Sequence, residues 1–242
     1  MNSYDLELLS RPARDGDQGW CFGHPPGIAA HQWPLDPISG WPLKHGFTLL
    51  LPEDHRVHGP DVVALAFFAP APEHAAAPPR PDPALVAAVL AESPRRPGDP
   101  DLVPFWIAGR QAHPRLTRLR DDRGHAYAVI LLTGAEFHGP RCPPPMPADN
   151  PYLAHLARPL WLAEAMVHPA AAIAAPALAD RAVVARTTSA PTTANHIAGP
   201  DDPADAFARH RLNFEESFGG IALGGGRACL DLATMRLDRF DP

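Results

Sequence analysis

The sequence predicts an α+β chain dominated by β-strands: curved antiparallel or mixed sheets, a few short helices and long proline-rich loops. Short apolar runs, β-branched or aromatic in part, recur between Gly, Pro and Asp residues, as strands do. Helical periodicity is confined to brief stretches, each opened by a proline. Proline itself is abundant, 32 residues in 242 where about 5% is usual. It interrupts ladders and helices alike, so it lengthens the connections. Hydrophobic residues make up 45% of the chain, enough for a sizeable core. A single domain over 1–242 is expected, with strand-rich blocks at 21–69, 105–139 and 212–238. Pro/Ala-rich spacers fall at 70–83, 93–104, 140–151 and 169–200.

In order, residues 1–20 have the composition of a polar leader that docks loosely. The pairs Trp33-Pro34 and Trp41-Pro42 bracket a turn-rich stretch, Asp36-Pro37-Ile38-Ser39-Gly40, and apolar runs at 47–51 and 62–68 follow as strands. Asp82-Pro83 supplies an N-cap and a first-turn proline for a helix over 84–92. Residues 115–120, the turn Asp121-Asp122-Arg123-Gly124, and 126–132 form a hairpin pattern. Its second arm, AYAVILL, is apolar on both faces and is expected inside a sheet. Pro159 starts a helix over 159–167 with Leu160, Trp161, Ala163, Met166 and Val167 along one face, and Asp202-Pro203 starts another. The Ala-, Pro- and Thr-rich residues 169–200 are expected to be the most mobile. The C-terminal part returns to strands around RACLDL and MRLD, after a glycine turn at Gly224-Gly225-Gly226.

The net charge of −6 argues against a general nucleic-acid binder, which carries a basic footprint. Cys21, Cys142 and Cys229 are odd in number and far apart, so they form neither a disulfide framework nor a CxxC pair. Reduced thiols in a cytosolic protein are expected. No signal-peptide pattern opens the sequence. The uncharged run at 165–179 is short and broken by Pro169 and Pro176, so no membrane span is expected and a cytoplasmic location is.

The order Gly23, Pro25, Trp33-Pro34, Asp36, Gly40, Pro42-Leu43, then the strand at 47–51, resembles the YwqG-like family of bacterial proteins. Leu51-Pro52, Gly59 and the strand ending in Phe67-Phe68 continue the pattern. Two features depart from it: Thr48-Leu49-Leu50-Leu51 stands where the family often has a glutamine–isoleucine–Asn/Asp signature, and Gly224-Gly225-Gly226 stands for its Gly-Asp-x-Gly turn. The resemblance implies a β-rich fold of curved sheets with no established chemistry. Some relatives occur beside secreted toxins, which implies an immunity or accessory role, as around a type VI secretion system.

No nucleophile, base and orienter assemble in the sequence. There is no G-x-S-x-G elbow, and the glycine run precedes Arg227 and a strand rather than the Gly-Lys-Ser/Thr and helix of a phosphate loop. Cys142 beside Arg141 is a thiol whose pKa a guanidinium can lower, but without a base. A metal site is conceivable at His55 and His58 with His45, Glu53 and Asp54 nearby, but Pro52 and Gly59-Pro60 make the segment a loop without zinc-site spacing. The candidate binding residues are Trp33 and Trp41, which in such loops pack or anchor a partner, and Arg115, Arg118 and Arg120, which with Arg110 and Arg123 form the local positive excess. The expected function is a non-enzymatic cytosolic protein-binding module without a cofactor, with a cognate toxin or secreted effector as partner. The alternative is a metal-dependent or small-molecule enzyme using the loop at 45–58.

Overall fold

A computed structural model describes residues 2–38, 40–70, 82–93, 95–145, 180–188, 192–199, 210–221, 223 and 226–240. Its strands are β1 (Ser3–Leu8), β2 (Gly19–Cys21), β3 (Lys44–Leu50), β4 (Val62–Ala69), β5 (Leu116–Arg120), β6 (Ala126–Thr133), β7 (Arg181–Thr188), β8 (His196–Ala198), β9 (Arg211–Glu215), β10 (Arg227–Asp231) and β11 (Arg236–Phe240). The helices are α1 (Pro83–Glu92), α2 (Val103–Arg110) and the single turn α3 (Gly134–Phe137).

All eleven strands join one antiparallel sheet in the order β11-β10-β9-β8-β1-β7-β2-β3-β4-β6-β5. The sheet curls into a nearly closed barrel, bringing its two edges, β5 and β11, together. Closure of this kind leaves little open ladder for another chain to extend.

Period-two alternation fills the interior. Leu6, Phe47, Leu49, Leu65, Phe67, Val129, Val183, Leu212, Phe214 and Leu230 all point inward and are essentially inaccessible. Phe47 stacks on Phe67 at 5.2 Å and meets Phe214 and Phe218 edge-on at 5.3 and 5.0 Å. Offset and edge-to-face pairs of this kind add to the area they bury. The turn carrying Phe218 passes so close to β3 that a Cβ on Gly219 would lie 2.7 Å from the Gly46 carbonyl oxygen, at a φ of +91°. Only glycine fits there.

The outer face is split. Over β3, β4 and β6 it is apolar: Ala64, Ala66, Phe68, Ala128, Ile130 and Leu132 lie beneath Trp20, Ile28, Trp33, Leu43 and Phe137. This explains why β4 and β6 are apolar on both faces. The segment from Ile28 to Leu43 is therefore a second layer. Its far side, Leu35 and Trp41, packs against α1 and α2 through Val86, Leu90, Leu102 and Phe105. Over β1 and β7–β11 the outer face instead carries Asp5, Glu7, Arg186, Arg227, Arg236 and Asp238.

Several expectations are corrected. Residues 1–20 are not a loosely docked leader: SYDLEL alternates, and β1 sits inside the sheet between β7 and β8. The spacer at 169–200 contains β7 and β8, with Ala182 and Val183 fully buried. The spacer at 93–104 contains a 3-10 turn at Pro100–Leu102 that leads into α2, so Phe105 is helical rather than the start of a strand. Asp82 caps α1 as expected, accepting from the Ala84 amide at 2.8 Å. The helices expected at 159–167 and at Asp202-Pro203, and Gly224 and Gly225, lie outside the described residues. Among the described residues no helix is long and apolar enough to cross a membrane.

Candidate functional site

The β5–β6 hairpin carries most of the charged chemistry, and the fold divides its arginines among separate tasks. Its turn folds around Asp121. The carboxylate accepts from the Arg123 and His125 amides at 3.1 and 2.8 Å, and from the Tyr127 hydroxyl at 3.2 Å. Arg239 of β11 reaches across the seam and donates to it at 2.9 Å, with Asp121 fully buried and Arg239 5% exposed. The same guanidinium also donates to the Leu223 carbonyl. Burial alone would raise the Asp121 carboxyl, but the hydrogen bonds from Arg239 and His125 outweigh it and hold it at about 2. This pair fastens one barrel edge to the other.

His125 Nδ1 lies 2.9 Å from Asp121 Oδ2, an acid–imidazole arrangement of the kind that orients a catalytic base. Here the carboxylate is already neutralised by Arg239, and among the described residues nothing hydrogen-bonds His125 Nε2. The cluster is a structural clasp, and sequence reasoning missed it because its partners lie 118 residues apart.

Arg115 and His113 are drawn to Glu136. The Arg115 guanidinium holds both carboxylate oxygens, His113 Nε2 lies at 3.2 Å, and Thr133 donates from its amide at 2.7 Å and its hydroxyl at 2.9 Å. Burial raises this carboxyl, and the bonds from Thr133, Arg115 and His113 bring it down to about 2. Thr133-x-x-Glu136 is a capping box that was legible in the sequence. Arg115 is thereby committed inside the molecule. Arg110 lies over the Trp106 ring at 5.9 Å, beside an open cavity of about 430 Å³ between α1 and α2. Arg118 and Arg120 share the outer face of β5, so the five arginines do not form one surface.

Neither proposed tryptophan anchor is accessible. Trp33 is 5% exposed, meets Phe68 edge-on at 5.5 Å and donates its indole N–H to the Leu43 carbonyl at 2.7 Å. Trp41 is 2% exposed, against the helix pair. The turn between them is closed by Asp36 N–H to Trp41 O at 2.8 Å and Leu43 N–H to Pro34 O at 2.9 Å. Both side chains are packing residues, because the stretch they bracket is an internal layer.

The histidines considered for metal binding point to different partners. His45 Nδ1–H donates to the Phe22 carbonyl at 3.1 Å and its Nε2 accepts from the Thr48 hydroxyl at 2.9 Å. Burial pushes its pKa down to about 3, so the ring is neutral. His55 Nε2 bonds the Asn2 carbonyl at 2.8 Å, and His58 Nε2 the Leu232 carbonyl at 2.6 Å. Among the described residues no three His, Cys, Asp or Glu side chains are grouped to hold a metal ion. Chelation with EDTA is therefore expected to leave the melting temperature unchanged, because a structural ion would contribute its binding energy to stability. A fall reversed by zinc would contradict this arrangement of the rings.

Burial also disfavours the thiolate form of two of the cysteines. Cys21 is fully buried, which pushes its pKa up, and burial raises Cys142 as well. Arg141 does not activate Cys142: it lies over Trp20, 4.0 Å from the ring centre, and pairs with Asp180. Comparison with family models, with curated proteins and with solved structures finds no match for this chain.

Proposed function

We propose that the chain is a non-enzymatic, cytoplasmic protein-binding module whose partner is a basic protein, a bacterial toxin that it neutralises or a secreted effector that it assists. The observation that carries this reading is the asymmetry of the barrel. One half is armoured by the Ile28–Leu43 layer and the helix pair, while the other presents a rigid, charged outer face on β1 and β7–β11. A preorganised platform loses little conformational entropy on binding. The net charge of −6 accelerates encounter with a basic surface. The resemblance to YwqG-like proteins points the same way.

The test is co-expression with each product of the adjacent genes, followed by size-exclusion chromatography at low and high salt. One neighbour is expected to co-elute. The double variant Glu7→Lys/Asp238→Lys, on side chains about half exposed, is expected to slow association roughly tenfold at low salt, with the difference shrinking as salt screens it. If no neighbour binds, and the purified protein turns over a small molecule with activity lost in His55→Ala, the module reading fails.

A further inference from the structure

Several of the described arginines are paired with a carboxylate. Arg11 pairs with Asp17, Arg115 with Glu136, Arg141 with Asp180, Arg186 with Glu7 and Arg239 with Asp121. Arg118 has no such partner. Its Nε is sealed from solvent and makes no hydrogen bond, and among the described residues no carboxylate faces its guanidinium. The neighbours on its face of the sheet explain this. Cross-strand pairing sets Arg118 opposite Ala128 and Arg120 opposite Ala126, so two guanidinium-bearing side chains stand side by side on a floor of methyl groups. Leu116, the next residue inward on that face, packs against the apolar layer. Burial, unopposed by any neighbouring charge, pushes the Arg118 pKa down to about 10, so the group is still cationic at neutral pH. A cation withdrawn from water without a counter-charge is a destabilising arrangement, and it is relieved by whatever anion docks there.

We propose that Arg118 is the receptor of a carboxylate-binding site on the outer face of β5, with Arg120 as its solvent-side companion. The two terminal Nη groups of a guanidinium present donors in one fixed plane that match the two oxygens of a carboxylate, while the sealed Nε stays on the protein side. Arg120, two residues along the same face and exposed, adds a second positive charge beside the Arg118 guanidinium. The site is independent of the protein-binding reading, since the purified chain alone suffices to test it. A free dicarboxylate and an acidic side chain of a peptide present the same two oxygens, and the experiment separates them.

The experiment follows thermal unfolding of the full chain with sodium malonate, a glutamate-rich peptide, sodium phosphate or sodium chloride at matched ionic strength. It compares wild type with Arg118→Met and, as a milder change, Arg118→Lys. Without added anion, Arg118→Met is expected to melt at or above the wild-type temperature, because an apolar side chain of similar length replaces an unpaired, partly buried charge. Malonate or the peptide is expected to raise the wild-type melting temperature by several degrees relative to chloride, and to leave Arg118→Met unshifted. Arg118→Lys, a cation without the fork, is expected to keep less than half of the shift. A larger response to malonate than to the peptide identifies a free small carboxylate as the ligand class, and the reverse identifies an acidic side chain. Equal shifts in wild type and Arg118→Met, or a malonate shift no larger than that of chloride, would overturn the proposal. A phosphate shift exceeding both carboxylates would overturn the assignment to carboxylate. A clear loss of stability in Arg118→Met without any anion response would show that the chain already supplies the partner.

Discussion

Replacing Trp33 with alanine is expected to destabilise the protein by about 3–5 kcal/mol, the range for truncating a large buried aromatic side chain. Three effects act together. The indole is withdrawn from the apolar layer over β3, β4 and β6, leaving a void beside Phe68 and Leu43. The Leu43 carbonyl loses its donor in a buried position, which by itself costs about 1–3 kcal/mol. The layer also links the sheet to α1 and α2 through Leu35 and Trp41, so loosening it frees the helix pair. For a chain of this length the loss corresponds to a fall in melting temperature of roughly 10 °C. Trp33→Phe, which keeps a ring but lacks the donor, is expected to recover part of the loss. If Trp33→Ala melted within about a degree of wild type, the stretch from Ile28 to Leu43 would not be a packed layer.

A comparable loss is expected when the seam is cut. Asp121→Asn leaves Arg239 buried and uncompensated, and Arg239→Met leaves the opposite charge; breaking one side of such a pair costs about 3–5 kcal/mol. The double variant is expected to cost clearly less than the two single losses combined, since neither charge is then stranded. The same groups set the acid limit of the fold. Asp121 and Glu136 titrate at about 2 in the native state, below the ordinary carboxylate range. Their stabilisation is therefore complete above about pH 4.5 and is lost as pH falls towards 2. His45, neutral down to about pH 3, acts in the same direction over a higher window. Below about pH 6.5 the unfolded chain takes up a proton that the folded chain refuses, so stability falls there too. Melting temperatures measured from pH 7 to pH 3 are expected to decline throughout. In Asp121→Asn the decline below pH 4.5 should be shallower. An equal slope in both would mean that the pair is not a native-state anchor.

Much of the sheet was legible because its elements announce themselves locally. Apolar runs bounded by turns marked β3 and β4, the tetrapeptide from Asp121 to Gly124 marked the β5–β6 hairpin, and Asp82-Pro83 marked the start of α1. The strands that escaped are those whose evidence is distributed. In β1 the inward residues Tyr4, Leu6 and Leu8 alternate with Ser3, Asp5 and Glu7, a pattern diluted by charge over six residues. In β7 the buried Ala182 and Val183 lie in a stretch whose alanine, proline and threonine content resembles a linker. The candidate site was harder still. Five arginines within fourteen positions formed a cluster in sequence, but only the topology decides that Arg115 turns to Glu136 while Arg118 stays on the outer face without a partner.

The position of β1 has a consequence for biosynthesis. Its two neighbours in the sheet, β7 and β8, are made long after it; Glu7 and Arg186, joined across that ladder, are 179 residues apart. At a translation rate of about 5–20 residues per second, that interval is roughly ten to forty seconds. During it β1 has neither edge paired, and the barrel cannot close. β1 therefore stays unpaired through most of the barrel's synthesis, and it is the segment with most to gain from a chaperone.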